Sequence, residues 1–235
     1  MEKYLEKRFF IKMAKSILFK FIFFIFSSQL FMLDLKPYEN NYFSKPNGTV
    51  KEKLEKISDN IWKMTSLGKH PLFTIKQESI FRVNDGNVIL MSGFRNLDIL
   101  GGLRKDYQSY KIERKDNQKI LTYSHGKKKG TLEILDNFYD NLTLQIQIKL
   151  SLLDKDKIEI NYLDKGKIKI KTFLIKKTEI NYKLETVEVF EISEQREDKR
   201  YFRFFIKNDF SKDTLIVSQG GRGFDVDWEL DKVKP

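Results

Sequence analysis

The sequence predicts a mainly β protein, an antiparallel β-sandwich or open barrel, preceded by one amphipathic helix and an N-terminal hydrophobic helix. Three observations predict it. From residue 72 onward, apolar and polar residues alternate with a period of two, as in Lys157-Ile158-Glu159-Ile160 and Thr186-Val187-Glu188-Val189. Turn signatures interrupt that alternation roughly every 8–14 residues. After residue 70 no stretch reads as a helical crossover, which argues against an α/β fold.

The chain opens with Lys3, Lys7, Arg8, Lys12 and Lys15 against Glu2 and Glu6. Between Lys20 and Asp34 every residue is apolar except Ser27, Ser28 and Gln29. A basic flank before a short apolar run is the pattern of a signal peptide over 1–33. A signal anchor fits equally, because Met13–Leu33 would span roughly 31 Å as a helix, enough for a hydrocarbon core. Under either reading residues 13–33 meet a membrane and residues 34–235 leave the cytoplasm, for the periplasm, the cell surface or the medium.

Residues 34–48, with Pro37, Pro46 and Gly48, read as a linker. Thr49 and Glu52 have capping-box spacing, and Val50, Leu54, Ile57, Ile61 and Met64 recur at three- and four-residue steps. That predicts a helix over 50–66 leading a β-rich exported domain, 49–235.

Strands are predicted over 72–76, 78–83, 87–92, 107–114, 118–124, 131–136, 142–152, 157–163, 167–175, 178–192, 199–207, 213–218 and 224–230. Asn84-Asp85-Gly86-Asn87, His125 to Gly130 and Asp164-Lys165-Gly166 mark hairpin turns. In Lys167-Ile168-Lys169-Ile170-Lys171 the isoleucines read as the buried row and the lysines as the wet one.

Composition excludes several chemistries. With no cysteine there is no disulfide, zinc thiolate or thiol nucleophile. His70 and His125 have no second ligand at metal spacing, so neither metal nor cofactor is expected. The net charge is +11, and it comes from lysine more than arginine, which suits solvating charge better than bidentate phosphate reading. Nucleic acid is therefore not the preferred partner. Asn47-Gly48-Thr49 and Asn141-Leu142-Thr143 would be glycosylation acceptors in a eukaryotic host.

Two segments hold candidate sites. Residues 103–130 carry nine Lys or Arg against three acidic residues, interleaved with Tyr107, Tyr110 and Tyr123. Lys105, Lys111, Arg114, Lys119, Lys127, Lys128 and Lys129 are the candidate anion contacts there, with Arg222 from the glycine-rich Ser218–Gly223 stretch. Outside the cytoplasm such a face would meet anionic lipid or acidic glycan.

The second segment is Gly223-Phe224-Asp225-Val226-Asp227-Trp228-Glu229. On a strand, Asp225, Asp227 and Glu229 share one face at about 6.7 Å steps. The stretch resembles the acidic strand motif of family 18 chitinases. That resemblance implies Glu229 as proton donor and Asp227 as its supporting carboxylate. It covers seven residues, Arg222 stands where the motif's first Asp belongs, and no βα alternation precedes it. The competing reading is a terminal strand with an acidic wet face beside lysine-rich neighbours.

The preferred expectation is a non-enzymatic, exported or anchored β binding module of the cell envelope, partnered by anionic lipid, glycan or another envelope protein. The alternative is a carbohydrate-active domain using Asp225, Asp227 and Glu229. A third, a cytosolic nucleic-acid binder, requires that residues 13–33 not enter a membrane.

Overall fold

The computed structural model describes residues 35–235, apart from 45, 46, 117, 153, 154, 197, 199, 210, 222–224 and 235 and the side chains of 232–234. The hydrophobic segment 1–33 lies outside the described residues. Among the described residues, no helix is long and apolar enough to cross a membrane.

The first eight strands are β1 (Tyr38–Ser44), β2 (Gly48–Ser58), β3 (Ile61–His70), β4 (Phe73–Asn84), β5 (Asn87–Ile99), β6 (Arg104–Lys115), β7 (Gln118–His125) and β8 (Lys128–Ile134). Helix α1 (Asn141–Ser151) follows. Then come β9 (Lys157–Asp164), β10 (Lys167–Tyr182), β11 (Glu185–Glu194), β12 (Tyr201–Lys207), β13 (Thr214–Gly220) and β14 (Asp225–Lys234). All fourteen belong to one antiparallel sheet in the order β8-β7-β6-β5-β4-β3-β2-β1-β14-β13-β12-β11-β10-β9. The open-barrel expectation agrees with this single sheet; the two-sheet sandwich does not.

Chain connectivity forces the sheet to curl. Laid flat, fourteen strands would set β8 and β9 about 62 Å apart. Residues 135–156 join them and include an eleven-residue helix, so their reach is at most about 56 Å. Register shifts at Asn41/Tyr42, Lys56/Ser58, Ile80/Phe81 and Phe205/Ile206 add the local twist that bends the strands.

The curl runs past closure. Ile158 and Ile160 of β9 and Phe173 and Ile175 of β10 face inward, in one core cluster with α1, Met64, Phe81 and Val88. Leu163 and Ile168 point to the opposite face, yet they pack with Leu121, Ile134 and Phe138. The β7–β8 end therefore lies over the outside of the β9–β10 hairpin. Gly166, at φ +75°, completes the overlap: a Cβ placed there would sit 2.2 Å from the ring of Tyr123 on β7.

Helix α1 fills the interior. Leu142, Leu144, Ile146, Ile148 and Leu152 are at most 1% exposed, each stabilising by about 1.5–3 kcal/mol. Its polar residues are matched to the wall: the Gln147 side chain accepts from the Val88 amide at 2.8 Å and donates to Ser151 Oγ at 2.8 Å. Asp140 caps the helix, its carboxylate accepting from the amides of Leu142 (3.1 Å) and Thr143 (2.8 Å). Ser79 of β4 and Tyr110 of β6 also donate to that carboxylate, which pins the helix start to the sheet.

Four sequence expectations are corrected. Residues 50–66 form no helix but the β2–β3 hairpin. Val50, Glu52 and Leu54 share the inner face, and the buried charge of Glu52 breaks the apolar alternation that would have marked a strand. The linker over 34–48 contains β1, which closes against β14. Residues 142–152 are a helix; wrapped on all sides, it needs no helical stripe, so its alternation misleads. The run 178–192 is broken by a turn at Lys183 and Leu184, where two non-glycine residues take φ of 47° and 73°. The turns at 84–87, 125–130 and 164–166 fall between strands as expected.

The overlap predicts a coupled pair. Gly166→Ala should cost about 2–4 kcal/mol in urea unfolding, from positive-φ strain plus overpacking. In a Tyr123→Ala background the cost should fall to about 1–2 kcal/mol, since strain alone remains. Equal costs in both backgrounds would show that the two ends of the sheet do not touch there.

Candidate functional site

The N-terminal end of α1 opens into a cleft of about 660 Å³. Strand β5 contributes Arg95, Leu97 and Ile99 to its wall, and β6 contributes Arg104 and Asp106. Across from them stand Tyr162 and Asp164 of β9, Lys165 of the following turn, and Lys169 and Lys171 of β10. Glu194, Arg196 and Arg200 close one side, and Asn141, the first residue of α1, and Gln219 form the floor. Seven cationic side chains thus face three carboxylates, an excess of four positive charges.

Those carboxylates are already engaged. Glu194, 7% exposed at its side chain, binds Lys171 at 3.2 Å and Arg196 at 3.1 Å. Asp164 binds Lys169 at 2.6 Å, and Asp106 contacts His125 at 2.7 Å. Lys171 also sits 4.0 Å over the Tyr162 ring; burial lowers its pKa, against the pull of Glu194. On the rim, hydrogen bonding from Arg200 holds the Asp198 carboxyl down at about 2.

Arg95, Arg104 and Lys165 form no ion pair with any described residue. Arg95 Nε and its cross-strand neighbour's Gln108 Nε2 are buried donors without an acceptor among the described residues. Beside them, Asn141 donates to Gln77 at 3.2 Å and accepts from Tyr162 at 2.5 Å. Burial raises the Tyr162 pKa, with Arg95 opposing, so this hydroxyl stays a neutral donor. Asn141 is thereby committed to the interior network.

Arg95, Asn141 and Gln219 also line a second chamber, of about 210 Å³. Its other walls mix apolar side chains, Val50, Phe73, Ile75, Phe202, Val217 and Trp228, with Tyr42, Glu52, Ser66, Gln77 and Gln145. Phe73 and Trp228 meet edge to face at 6.5 Å. Cleft and chamber are thus adjoining spaces with a shared wall, one basic and one of mixed apolar and polar lining.

A buried charged pair starts from the chamber wall, at Glu52. Glu52 of β2 accepts hydrogen bonds from Tyr42 and Gln145 and is attracted by Lys149 of α1. Burial raises the Glu52 pKa and lowers that of Lys149, and each partner offsets the other's shift. Lys149 also lies 5.4 Å over the Tyr38 ring. The pair ties the helix to β1 and β2. Among the described residues no group of three or more His, Asp or Glu is placed to hold a metal.

The residues singled out in the sequence lie elsewhere. Lys105 and Lys111 are exposed on β6, and Lys111 pairs with Glu113 at 2.5 Å. Arg114 and Lys119 line a separate cleft of about 360 Å³ with Arg82 and Asp136. Lys127, Lys128 and Lys129 are exposed at the β7–β8 turn, and Arg222 lies outside the described residues. The structure does not bring these side chains into one patch. Asp225, Asp227 and Glu229 do share a face of β14, the exposed one, while Val226, Trp228 and Leu230 face inward. None of the three acids lines any cleft described above.

Sequence reasoning missed the cleft residues because they read as wet-face charges. The signal was phase. Lys171 is in step with buried Phe173 and Ile175, and Arg95 with Leu97 and Ile99, whereas Ile170 is 72% exposed.

No family model matches the chain, and no curated protein matches it. Among solved structures, it is similar to a crystal structure of a beta-barrel-like protein of the domain of unknown function DUF1849 from Brucella abortus. The TM-score is 0.57 at 11% identity, over 85% of this chain and 98% of that one. The likeness is one of fold.

Two predictions test the interior. Lys149→Met should destabilise by about 3–5 kcal/mol, since it leaves Glu52 buried and unpaired, and the double variant with Glu52→Gln should recover most of that loss in denaturant titrations. Burial also raises the Asp140 pKa. The folded protein therefore keeps that proton to higher pH than the unfolded chain, so the associated stability is full in acid and lost as pH rises through the raised value. From about pH 4 to neutrality, unfolding free energies should shift in favour of Asp140→Asn relative to wild type; a constant difference would contradict the shift.

Proposed function

We propose that the protein is a non-enzymatic, exported binding module of the cell envelope whose basic cleft engages anionic lipid. The observation that supports this most is the excess of four positive charges in the cleft, with Arg95 and Arg104 outside any ion pair with a described carboxylate and Lys165 acting on Asp164 only at longer range. A concave, partly desolvated cluster of one sign concentrates field lines and favours an anion over the solvated ions of a flat surface.

Lipid is favoured over glycan by the apolar side chains at the same mouth. Ile170 in the cleft wall is 72% exposed, and Leu103, adjoining Arg104, is 84% exposed. Leu100 in the same β5–β6 loop is 52% exposed. Exposed aliphatic side chains next to cations suit a lipid surface, where head groups and acyl chains lie within a few ångströms of each other. A glycan would call for aromatic platforms, and the cleft offers Tyr162 alone, already stacked under Lys171. The sequence of residues 1–33 supports delivery to a membrane or across it.

Vesicle co-flotation of residues 35–235 tests the reading. Binding is expected to phosphatidylglycerol vesicles, to weaken with salt, and to be negligible on phosphatidylcholine. Replacing Arg104, Lys165 and Arg200 together by Ala should cost about 3 kcal/mol, roughly a hundredfold. Equal binding to both lipids, or an unaffected triple variant, would overturn it.

A further inference from the structure

We infer that the cleft and the adjoining chamber form one ligand site for a small amphipathic acid, its anionic head held by Arg95 and its apolar part seated against Trp228. This rests on the cleft being an anion site, and it adds the ligand's size, polarity and orientation.

Arg95 orients the ligand. It lines both the basic cleft and the adjoining chamber, so a group bound to it stands at their junction. Its Nε and the amide nitrogen of Gln108 are buried donors on adjacent strands that find no acceptor among the described residues. A buried donor left unmet costs about 1–3 kcal/mol; Gln108 lines neither space, so the planar guanidinium of Arg95 sets the counterpart there, a group with two acceptor oxygens. A carboxylate or phosphate meets an arginine fork in that way. Tyr162, kept protonated, and Asn141 extend the polar ring around the same point.

The chamber sets the rest of the ligand. At about 210 Å³ with walls such as Phe73, Ile75, Phe202 and Trp228, it is somewhat larger than an apolar cavity of about 150 Å³ that takes benzene. It therefore accommodates a short aliphatic chain or one ring, and not two long acyl chains.

The full chain, held in phosphatidylcholine nanodiscs, is titrated calorimetrically with octanoate, 1-octanol, acetate and dihexanoylphosphatidylglycerol. Octanoate is expected to bind saturably at one site and to change the Trp228 emission. Octanol and acetate should each bind at least tenfold more weakly. Arg95→Met should weaken octanoate at least tenfold, and Arg95→Lys should restore part of the loss. Octanoate displaced by dihexanoylphosphatidylglycerol, with the lipid tighter, would make the source of the ligand a lipid head group; the reverse order would make it a free acid, and either supports the site. Acetate binding as tightly as octanoate, with Arg95 still required, would overturn the chamber's role and leave the anion reading standing. Octanol equal to octanoate in both wild type and Arg95→Met would overturn the role of Arg95. Failure of every anion to bind would overturn both readings.

Discussion

The architecture depends on one constraint: the segment between β8 and β9 is too short to join the edges of a flat fourteen-stranded sheet. The sheet must roll until those edges meet, and the connecting helix must travel through the space enclosed. Core, cap and cleft follow from that. A helix inside a curled sheet is surrounded, so it buries Leu142, Ile146 and Lys149 alike, and each polar member needs a specific partner on the wall. Thr143, Gln147 and Lys149 have theirs in Asp140, the Val88 amide and Glu52. The interior is thus keyed as well as filled, which fixes the rotation of the helix about its axis.

The helix does not occupy the whole bore. Beyond its first turn the inward row changes from Ile158 and Phe173 to Asp164 and Lys171, and from Leu90 to Arg95. The change from dry to polar falls where the helix ends, as burial energetics require: charges cannot be placed where the helix would desolvate them without partners. The basic cleft and the adjoining chamber meet at that boundary, and Arg95 belongs to both.

Much of the β domain was legible in the sequence. Turn chemistry at Asp85-Gly86 and Lys165-Gly166 placed two hairpins, and clean alternation placed β9. What was not legible shares a physical origin. Glu52 on an inner row disguised β2 as helix, and the alternating apolar residues of 142–150 disguised α1 as strand. Each signal assumes one wet face and one dry face. A rolled sheet with a helix inside violates that assumption, because the helix has no wet face and Leu163 and Ile168 are dry on the outer face of their hairpin. The structure marks the helix start with a reciprocal cap between Asp140 and Thr143, a spacing the strand reading of 142–152 passed over. The cleft was hidden for the same reason: Lys171 and Arg95 were counted as solvent-facing when they point into the bore.

The overlap between the β7–β8 end and the outside of the β9–β10 hairpin has a mechanical meaning. In a closed barrel, strand number and stagger fix the diameter, and nothing short of breaking ladder hydrogen bonds can change it. Here no ladder joins β8 to β9 among the described residues; side chains such as Leu121, Ile134 and Leu163 hold the lap, and one backbone bridge at Tyr139, whose amide donates to Asn161 and whose carbonyl accepts from the Leu163 amide, stitches the segment after β8 to β9. The coil resembles a clock spring riveted at one point: the length of a greasy lap, and not the stagger of a closed ladder, sets its bore, and the Tyr139 bridge pins that length.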